Sequence, residues 1–135
     1  MDVFQTLRDL NTLLIDDDEW IRDAFVMLFE SEACCLKVLE TAEEALAELK
    51  RKKYDLIIVD YKLPGLNGLE LLRRLPETNA GTITMLITAY LTDSVVSEAS
   101  DLHVQGVLEK PFSSETFFDS LSAVLENRCR QPSEA

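Results

Sequence analysis

Residues 13–20 read LLIDDDEW, an apolar run that passes directly into three consecutive aspartates. Together with Thr12, the apolar part has the length and composition of a short buried strand. Asp16, Asp17 and Asp18 then place three like charges at its carboxyl end, where they repel one another unless water or a cation compensates them. Two interpretations follow from this stretch alone. It is either a solvated turn in which Asp18 caps the next helix, or a carboxylate cluster that binds a metal ion.

Length and charge restrict the class of protein. The chain has 135 residues, 47% of them hydrophobic, which is enough for one domain with a core. Its 13 basic and 25 acidic residues give a net charge of −12, which opposes direct binding to nucleic acid. No apolar run approaches the roughly 20 residues that span a bilayer, so membrane insertion is not expected. The amino terminus has no secretory signal pattern, which predicts a cytoplasmic protein.

Strand-like and helix-like segments alternate along the chain. After residues 12–15, apolar runs at 36–39, 55–60, 82–88 and 107–109 predict four more strands. Each strand is followed by a segment with helical periodicity, and the second such helix begins with the capping-box spacing of Thr41 and Glu44. Five successive β-then-α units predict an α/β domain with a parallel sheet and five helices covering both faces.

The predicted domain covers residues 12–127, with an N-terminal lead at 1–11 and a C-terminal tail at 128–135. The lead is expected to be flexible. The alternative is a helix on which Phe4, Leu7 and Leu10 form one apolar stripe.

Polar residues follow four of the predicted strands at their carboxyl ends, where ligands bind in open α/β sheets. Asp16 and Asp17 follow the first strand, and Asp60 ends the third. Thr88 ends the fourth strand and Lys110 follows the fifth. Each residue alone has an ordinary explanation as a cap, a turn or a surface charge. Their coincidence at one sheet edge favours a common site.

The charges of this predicted site indicate its chemistry. The three aspartates contribute −3 and Lys110 contributes +1, so a divalent ion brings the sum to zero. Oxygen ligands favour Mg²⁺. A carboxylate beside Mg²⁺ and a lysine is a nucleophile for phosphorus, with Lys110 and Thr88 placed to hold phosphoryl oxygens. The four glycines form no phosphate-binding loop, so a nucleotide site is not expected.

Four motifs carry a family resemblance: IDDDEW, VDYKLPGLNGLELL, LITAY and GVLEKPF. In this order and spacing they resemble the receiver domain of bacterial two-component response regulators, over about residues 11–127. The resemblance implies a doubly wound, flavodoxin-like sheet with strand order 2-1-3-4-5. It also implies that Asp60 accepts a phosphoryl group from a phosphohistidine on a sensor histidine kinase or a histidine phosphotransfer protein.

The same resemblance implies a role for each site residue. Asp17 and Asp60 would ligate Mg²⁺ directly, Asp16 would act through bound water, and the main-chain carbonyl of Lys62 would complete the protein ligands. Thr88 and Lys110 would contact the phosphoryl group, and the peptide before Pro111 would be cis. Receivers also form homodimers or contact output domains through their last two helices and fifth strand.

Three features individualise the pattern. Val107 occupies the position at which receivers usually carry a Tyr or Phe that changes rotamer on phosphorylation. With no aromatic ring there, the usual coupling between Thr88 and that ring is not expected. Lys62 and Tyr90, at positions that tune phosphoryl lifetime in this family, predict slow self-hydrolysis, as in a phosphorelay intermediate. Trp20 follows the aspartates and is expected either at the rim of the site or partly in the core.

Two other functions compete with a phosphorylatable signalling module. One is a receiver-like interaction domain that is not phosphorylated. The other is an aspartate-nucleophile phosphatase, which normally carries Asp-x-Asp followed by Thr or Val, a continuation that residues 16–20 lack. We therefore predict an acceptor that reacts once and is not a turnover enzyme.

Overall fold

The computed structural model describes the backbone of residues 2–130 and the side chains of residues 2–127. Its centre is one five-stranded sheet in the order β2-β1-β3-β4-β5, in which all neighbouring strands are parallel. The strands are β1 (Thr12–Ile15), β2 (Leu36–Leu39), β3 (Leu56–Asp60), β4 (Ile83–Thr88) and β5 (Gly106–Glu109). The predicted fold class and strand order are confirmed.

Helices cover both faces of the sheet. They are α1 (Val3–Arg8), α2 (Glu19–Ser31), α3 (Ala42–Arg51), α4 (Gly68–Arg73), α5 (Asp93–Asp101) and α6 (Ser114–Arg130), with a short 3-10 helix at Glu77–Asn79. The Asp18 side chain accepts a hydrogen bond from the Trp20 N–H and caps α2. Thr41 and Glu44 form the predicted capping box at the start of α3. The sequence predicted five helices, and the additional one is α1.

Side chains that alternate along the strands build two separate cores. Leu14 and Ile58 face one side, where they pack with Phe117 of α6. Leu13 and Ile57 face the other side, with the apolar residues of α3, α4 and α5. Because both faces are covered, the inner strands β1, β3 and β4 are buried along their whole length, as expected for parallel sheets. Polar residues at the carboxyl ends of these strands therefore contrast with the apolar residues before them.

The expectation of a flexible lead is wrong. Asp2 caps α1 by accepting hydrogen bonds from the N–H groups of Phe4 and Gln5. Leu7 is fully buried in the core beside α6. The ring centroid of Phe4 lies 4.7 Å from that of Phe118, in an edge-to-face contact. The alternative apolar stripe is thus the correct interpretation, because α6 offers an aromatic surface for it.

At the other end of the chain, α6 continues to Arg130 and includes the first three residues of the predicted tail. The prediction for residues 131–135 lies outside the described residues. Within the part of the chain that the structure describes, none of the helices has the length and apolar content required to cross a bilayer.

Candidate functional site

The three predicted aspartates meet at the carboxyl edge of the sheet. β1 and β3 are adjacent in the sheet, so Asp16 and Asp17 after β1 lie beside Asp60 at the end of β3. Each aspartate offers a carboxylate oxygen within 4.8 Å of the other two. Asp16 and Asp60 are buried, whereas Asp17 is exposed and faces solvent. This arrangement presents hard oxygen atoms at a spacing that suits a small divalent cation.

Lys110 reaches the same cluster from β5, two strands beyond β3. Its Nζ donates hydrogen bonds to Asp16 Oδ2 at 2.9 Å and to Asp60 Oδ2 at 3.1 Å. The Lys110 side chain is only 15% exposed, so this is a buried ion pair with two carboxylates. The Lys110–Pro111 peptide is cis, as the resemblance implied. The predicted convergence of residues from three strands is therefore found.

Burial and charge act against each other in this cluster. Burial first, and then the charge of Asp16, raise the pKa of Asp60 from its ordinary 3.8 to about 6, although Lys110 acts to lower it. For Lys110, burial acts to lower the pKa, but the hydrogen bonds and charges of Asp16 and Asp60 raise it above its ordinary value. One lysine thus compensates the buried carboxylates only in part, and the donor set fits a divalent ion.

The loop after β3 returns to the backbone of Asp60. The Lys62 N–H donates to Asp60 Oδ1 at 3.4 Å, a long hydrogen bond, and the Gly68 N–H donates to the Tyr61 carbonyl at 2.8 Å. A Cβ atom at Gly68 would collide with the main-chain carbonyl oxygen of Asp60, so a glycine is required there. The ligand role of the Lys62 carbonyl stays a prediction.

Thr88 lies at the same edge, at the end of β4, and is buried. Its hydroxyl accepts a hydrogen bond from the Tyr90 N–H at 3.0 Å, and its carbonyl accepts one from the Lys110 N–H at 2.7 Å. Its predicted contact with a phosphoryl group stays a prediction. The Tyr90 ring is 68% exposed, and Lys62 Nζ lies 5.7 Å from the ring centroid in a cation–π contact. Two side chains from different loops therefore meet beside the site.

Val107 and Trp20 are two residues whose surroundings the sequence left open. Val107 is half-buried and packs against the core on the α3–α5 side of the sheet. Trp20 is 86% exposed, so the interpretation as a partial core residue is wrong. Trp20 lies in the first turn of α2, and its ring faces solvent. The buried aromatic residue Phe25 lies further along the same helix.

Sequence reasoning missed two features of α2. The first is Arg22, whose Nη1 donates to the main-chain oxygen of Asp16 at 2.9 Å. The second is an apolar groove of 540 Å³ between α2 and the segment that follows β5. Met27, which is 71% exposed, and Phe112 contribute to its lining, as does Lys110 of the site. Ile21, Ala24, Phe25 and Leu28 share one apolar face of α2 and also line the groove. The periodicity of α2 predicted this face but gave no sign that part of it stays uncovered.

The raised pKa of Asp60 predicts a cost of ionising this residue in the metal-free protein. The neutral carboxyl of Asp60 contributes to the stability of the folded protein. This contribution is fully present below pH 3.8 and is lost as the pH rises through about 6. We expect Asp60→Asn to increase the free energy of unfolding at pH 7.5 by roughly 1–3 kcal/mol, and by less at pH 4. Lys110 keeps Asp16 as its partner in this variant.

Urea unfolding in the presence of a chelator measures this effect. Asp18→Asn is the matched control, because it removes an exposed charge and keeps the helix cap; it should change stability by less than about 0.5 kcal/mol. Destabilisation of Asp60→Asn at pH 7.5 would contradict the electrostatic description of the site.

Comparisons with known proteins agree with the geometry of the site. Residues 12–122 match the family model of the response regulator receiver domain. The transcriptional regulatory protein FixJ of Bradyrhizobium diazoefficiens is 30% identical over 90% of this chain and 58% of its own length. The sensor histidine kinase AruS of Pseudomonas aeruginosa is 32% identical over 85% of this chain and 12% of its own length.

Solved structures show the same fold. The chemotaxis response regulator CheY4 of Vibrio cholerae matches with a TM-score of 0.77 and 25% identity, over 84% of this chain and 97% of that protein. The chain spans about half the length of the curated regulators it matches first, from 45% to 58%. The match of the family model covers the strands and the loops that carry the site. The chain therefore belongs to the family of response regulator receiver domains.

Proposed function

We propose that the chain accepts a phosphoryl group on Asp60 from a phosphohistidine, in a reaction that depends on Mg²⁺. The observation that supports this most directly is the cluster of Asp16, Asp17 and Asp60 with Lys110 bound to two of them. A buried, hydrogen-bonded carboxylate beside a lysine has the surroundings of an activated nucleophile. We further propose that the chain is a stoichiometric acceptor and not a turnover enzyme.

Each residue of the site would have its own role in the phosphoryl transfer. An Asp60 carboxylate oxygen forms the new bond to phosphorus, and the bond from phosphorus to the histidine nitrogen breaks, leaving its electron pair on the imidazole. Asp16, Asp17, Asp60 and the Lys62 carbonyl would hold Mg²⁺, which when bound neutralises charge on the carboxylate and phosphoryl oxygens. Lys110, released in part from Asp60, would pair with one phosphoryl oxygen. Thr88 would donate its hydroxyl hydrogen to another.

Phosphorylation of Asp60 is tested by intact mass after incubation with Mg²⁺ and acetyl phosphate. We expect a gain of one phosphoryl group per chain, because only one carboxylate in the cluster is both buried and hydrogen-bonded to Lys110 and the Lys62 N–H. Asp60→Asn should abolish the gain, and a chelator should prevent it. Asp18→Asn is the matched control and should label normally. Labelling of Asp60→Asn to the same extent would refute the proposal.

The apolar groove supports a protein as the donor. It shares Lys110 and Pro111 with the site, so a partner seated in it lies next to Asp60. Trp20 and Met27 are exposed on α2 and are seven residues apart, which places both on one side of the helix over about 10 Å. This length suits one helix of a donor protein. We propose that a sensor histidine kinase or a histidine phosphotransfer protein docks there, which implies a cytoplasmic location.

Docking is tested by comparing two donors. For Trp20→Ala and for Met27→Ser we expect transfer from a phosphorylated histidine phosphotransfer protein to slow about tenfold, because exposed aromatic and Met side chains are common anchors at interfaces. Labelling by acetyl phosphate should stay within about twofold. Val96→Ser is the control, since Val96 is 45% exposed on α5, away from the groove. Equal slowing with both donors would argue against docking.

The contact between Lys62 and Tyr90 supports a long-lived phosphoryl group. Their side chains meet at the loop whose Lys62 N–H donates to Asp60, and there they would hinder the approach of water to a phosphoryl group. We expect the purified phosphorylated protein to lose its label over minutes or longer, as a phosphorelay intermediate requires. Tyr90→Ala and Lys62→Ala should each shorten the half-life severalfold by mass spectrometry. Lys53→Ala, an exposed lysine before β3, should not. Loss of the label within seconds in the unsubstituted protein would contradict slow hydrolysis.

A homodimer through α5, β5 and α6 is a further part of the proposal. Exposed Val96 on α5 supports it, as does exposed Tyr90 in the loop that leads into α5. The output of the whole protein is likewise a matter of proposal, because the matching regulators are longer than this chain. Comparing the sizing-column profile before and after phosphorylation distinguishes a phosphorylation-dependent dimer from a monomer.

A further inference from the structure

The backbone of Asp16 is held on both sides. Its N–H donates to the Leu39 carbonyl of β2 at 3.1 Å, and its carbonyl accepts from Arg22 Nη1 at 2.9 Å. This carbonyl belongs to the planar peptide that joins Asp16 to Asp17. Its orientation therefore fixes the direction in which the Asp17 backbone and side chain leave the strand. Asp17 is exposed and its carboxylate has no hydrogen-bond partner within the described residues, so the backbone is what directs it.

Arg22 reaches this peptide from the second turn of α2. Helical side chains lean toward the amino end of their helix, which here points Arg22 back to the end of β1. Its side chain is only 19% exposed. Its other terminal nitrogen, Nη2, lies 3.9 Å from Glu40 Oε2, and the Glu40 side chain is 59% exposed. An ion pair so long and so exposed contributes little, and the bond to Asp16 is the stronger of the two contacts.

We infer that Arg22 is a positioning residue for the metal-binding carboxylates. By donating to the Asp16 carbonyl, it holds the Asp16–Asp17 peptide in the orientation that brings Asp17 into the cluster with Asp60. This inference rests on the proposed Mg²⁺ site and adds a residue that does not touch the ion or the phosphoryl group. Partners that orient metal ligands typically change metal affinity by about tenfold or more when they are removed.

Charge alone predicts the opposite result. Arg22 is a cation near three carboxylates, and removing a cation makes the local potential more negative and strengthens the binding of Mg²⁺. Positioning predicts weaker binding when Arg22 is removed, because Asp17 loses its fixed direction. The sign of the change in affinity therefore separates the two roles.

The test is an NMR titration of the folded protein with MgCl₂, following the backbone amide signals of the loop after β1. We expect Arg22→Met to weaken Mg²⁺ binding about tenfold relative to the unsubstituted chain. Arg22→Lys should recover part of the affinity, because an ammonium group can still donate to the carbonyl. The same spectra report whether each variant is folded, and Arg22→Gln, too short to reach, is a second removal variant.

Two variants are matched controls. Glu40→Gln removes the exposed partner of Arg22 and should leave the affinity within about twofold. Arg74→Met removes an arginine that lies 3.9 Å from Glu70 on α4 and is 61% exposed, and it should also leave the affinity unchanged. With acetyl phosphate, Arg22→Met should require more Mg²⁺ for half-maximal labelling of Asp60 and reach a similar maximal rate at saturating Mg²⁺.

The outcomes separate this inference from the proposed function. Unchanged or tighter Mg²⁺ binding by Arg22→Met and Arg22→Gln would overturn the inference and leave the proposed function intact. Arg22→Lys binding as weakly as Arg22→Met would also overturn it, since donation to the carbonyl would then not be what matters. Failure of the unsubstituted chain to bind Mg²⁺ would overturn both.

Discussion

Lys110 lies between two buried carboxylates, and most of the architecture follows from keeping it there. Its Nζ donates to Asp16, which follows β1, and to Asp60, which ends β3; the two are 94 and 50 residues away along the chain. Removing Lys110 would leave two buried carboxylates without a cation, a loss that typically costs about 3–5 kcal/mol. The sheet must therefore bring the ends of three strands to one point. The raised pKa of Asp60 shows that the compensation remains incomplete even so.

The parallel sheet supplies that convergence. All five strands end at the same edge, and β1, β3 and β4 are buried on both faces, so their ends cannot shift independently. Functional side chains lie at the last residues of the strands or in the loops just beyond, where the backbone is free to turn. Gly68 permits the loop after β3 to fold back on Asp60, and the Asp18 cap starts α2 directly behind the cluster. The strands thus fix the positions of the site residues, and the loops turn the backbone around them.

The surface around the site is chemically uneven. On one side, α2 presents exposed Trp20 and the apolar groove that Met27 helps to line. On the other, the β4–α5 loop is tied to the site by the Thr88 hydroxyl, which accepts from Tyr90, and to β5 by Glu109 Oε2, which accepts from the Leu91 N–H at 3.3 Å. Val107 packs inward and has no ring to swing.

The sequence by itself determined the five strands, the caps of α2 and α3, and the edge at which Asp16, Asp17, Asp60, Thr88 and Lys110 gather. These features depend on local periodicity, on residues a few positions apart and on the rule that parallel strands end together. Tertiary structure alone decided that α1 folds, because its stripe needed Phe118 of α6 to pack against. It also decided that Arg22 holds the Asp16 carbonyl and that Trp20 stays outside. Such contacts join side chains to distant or main-chain atoms, and no pattern of residue types encodes their direction.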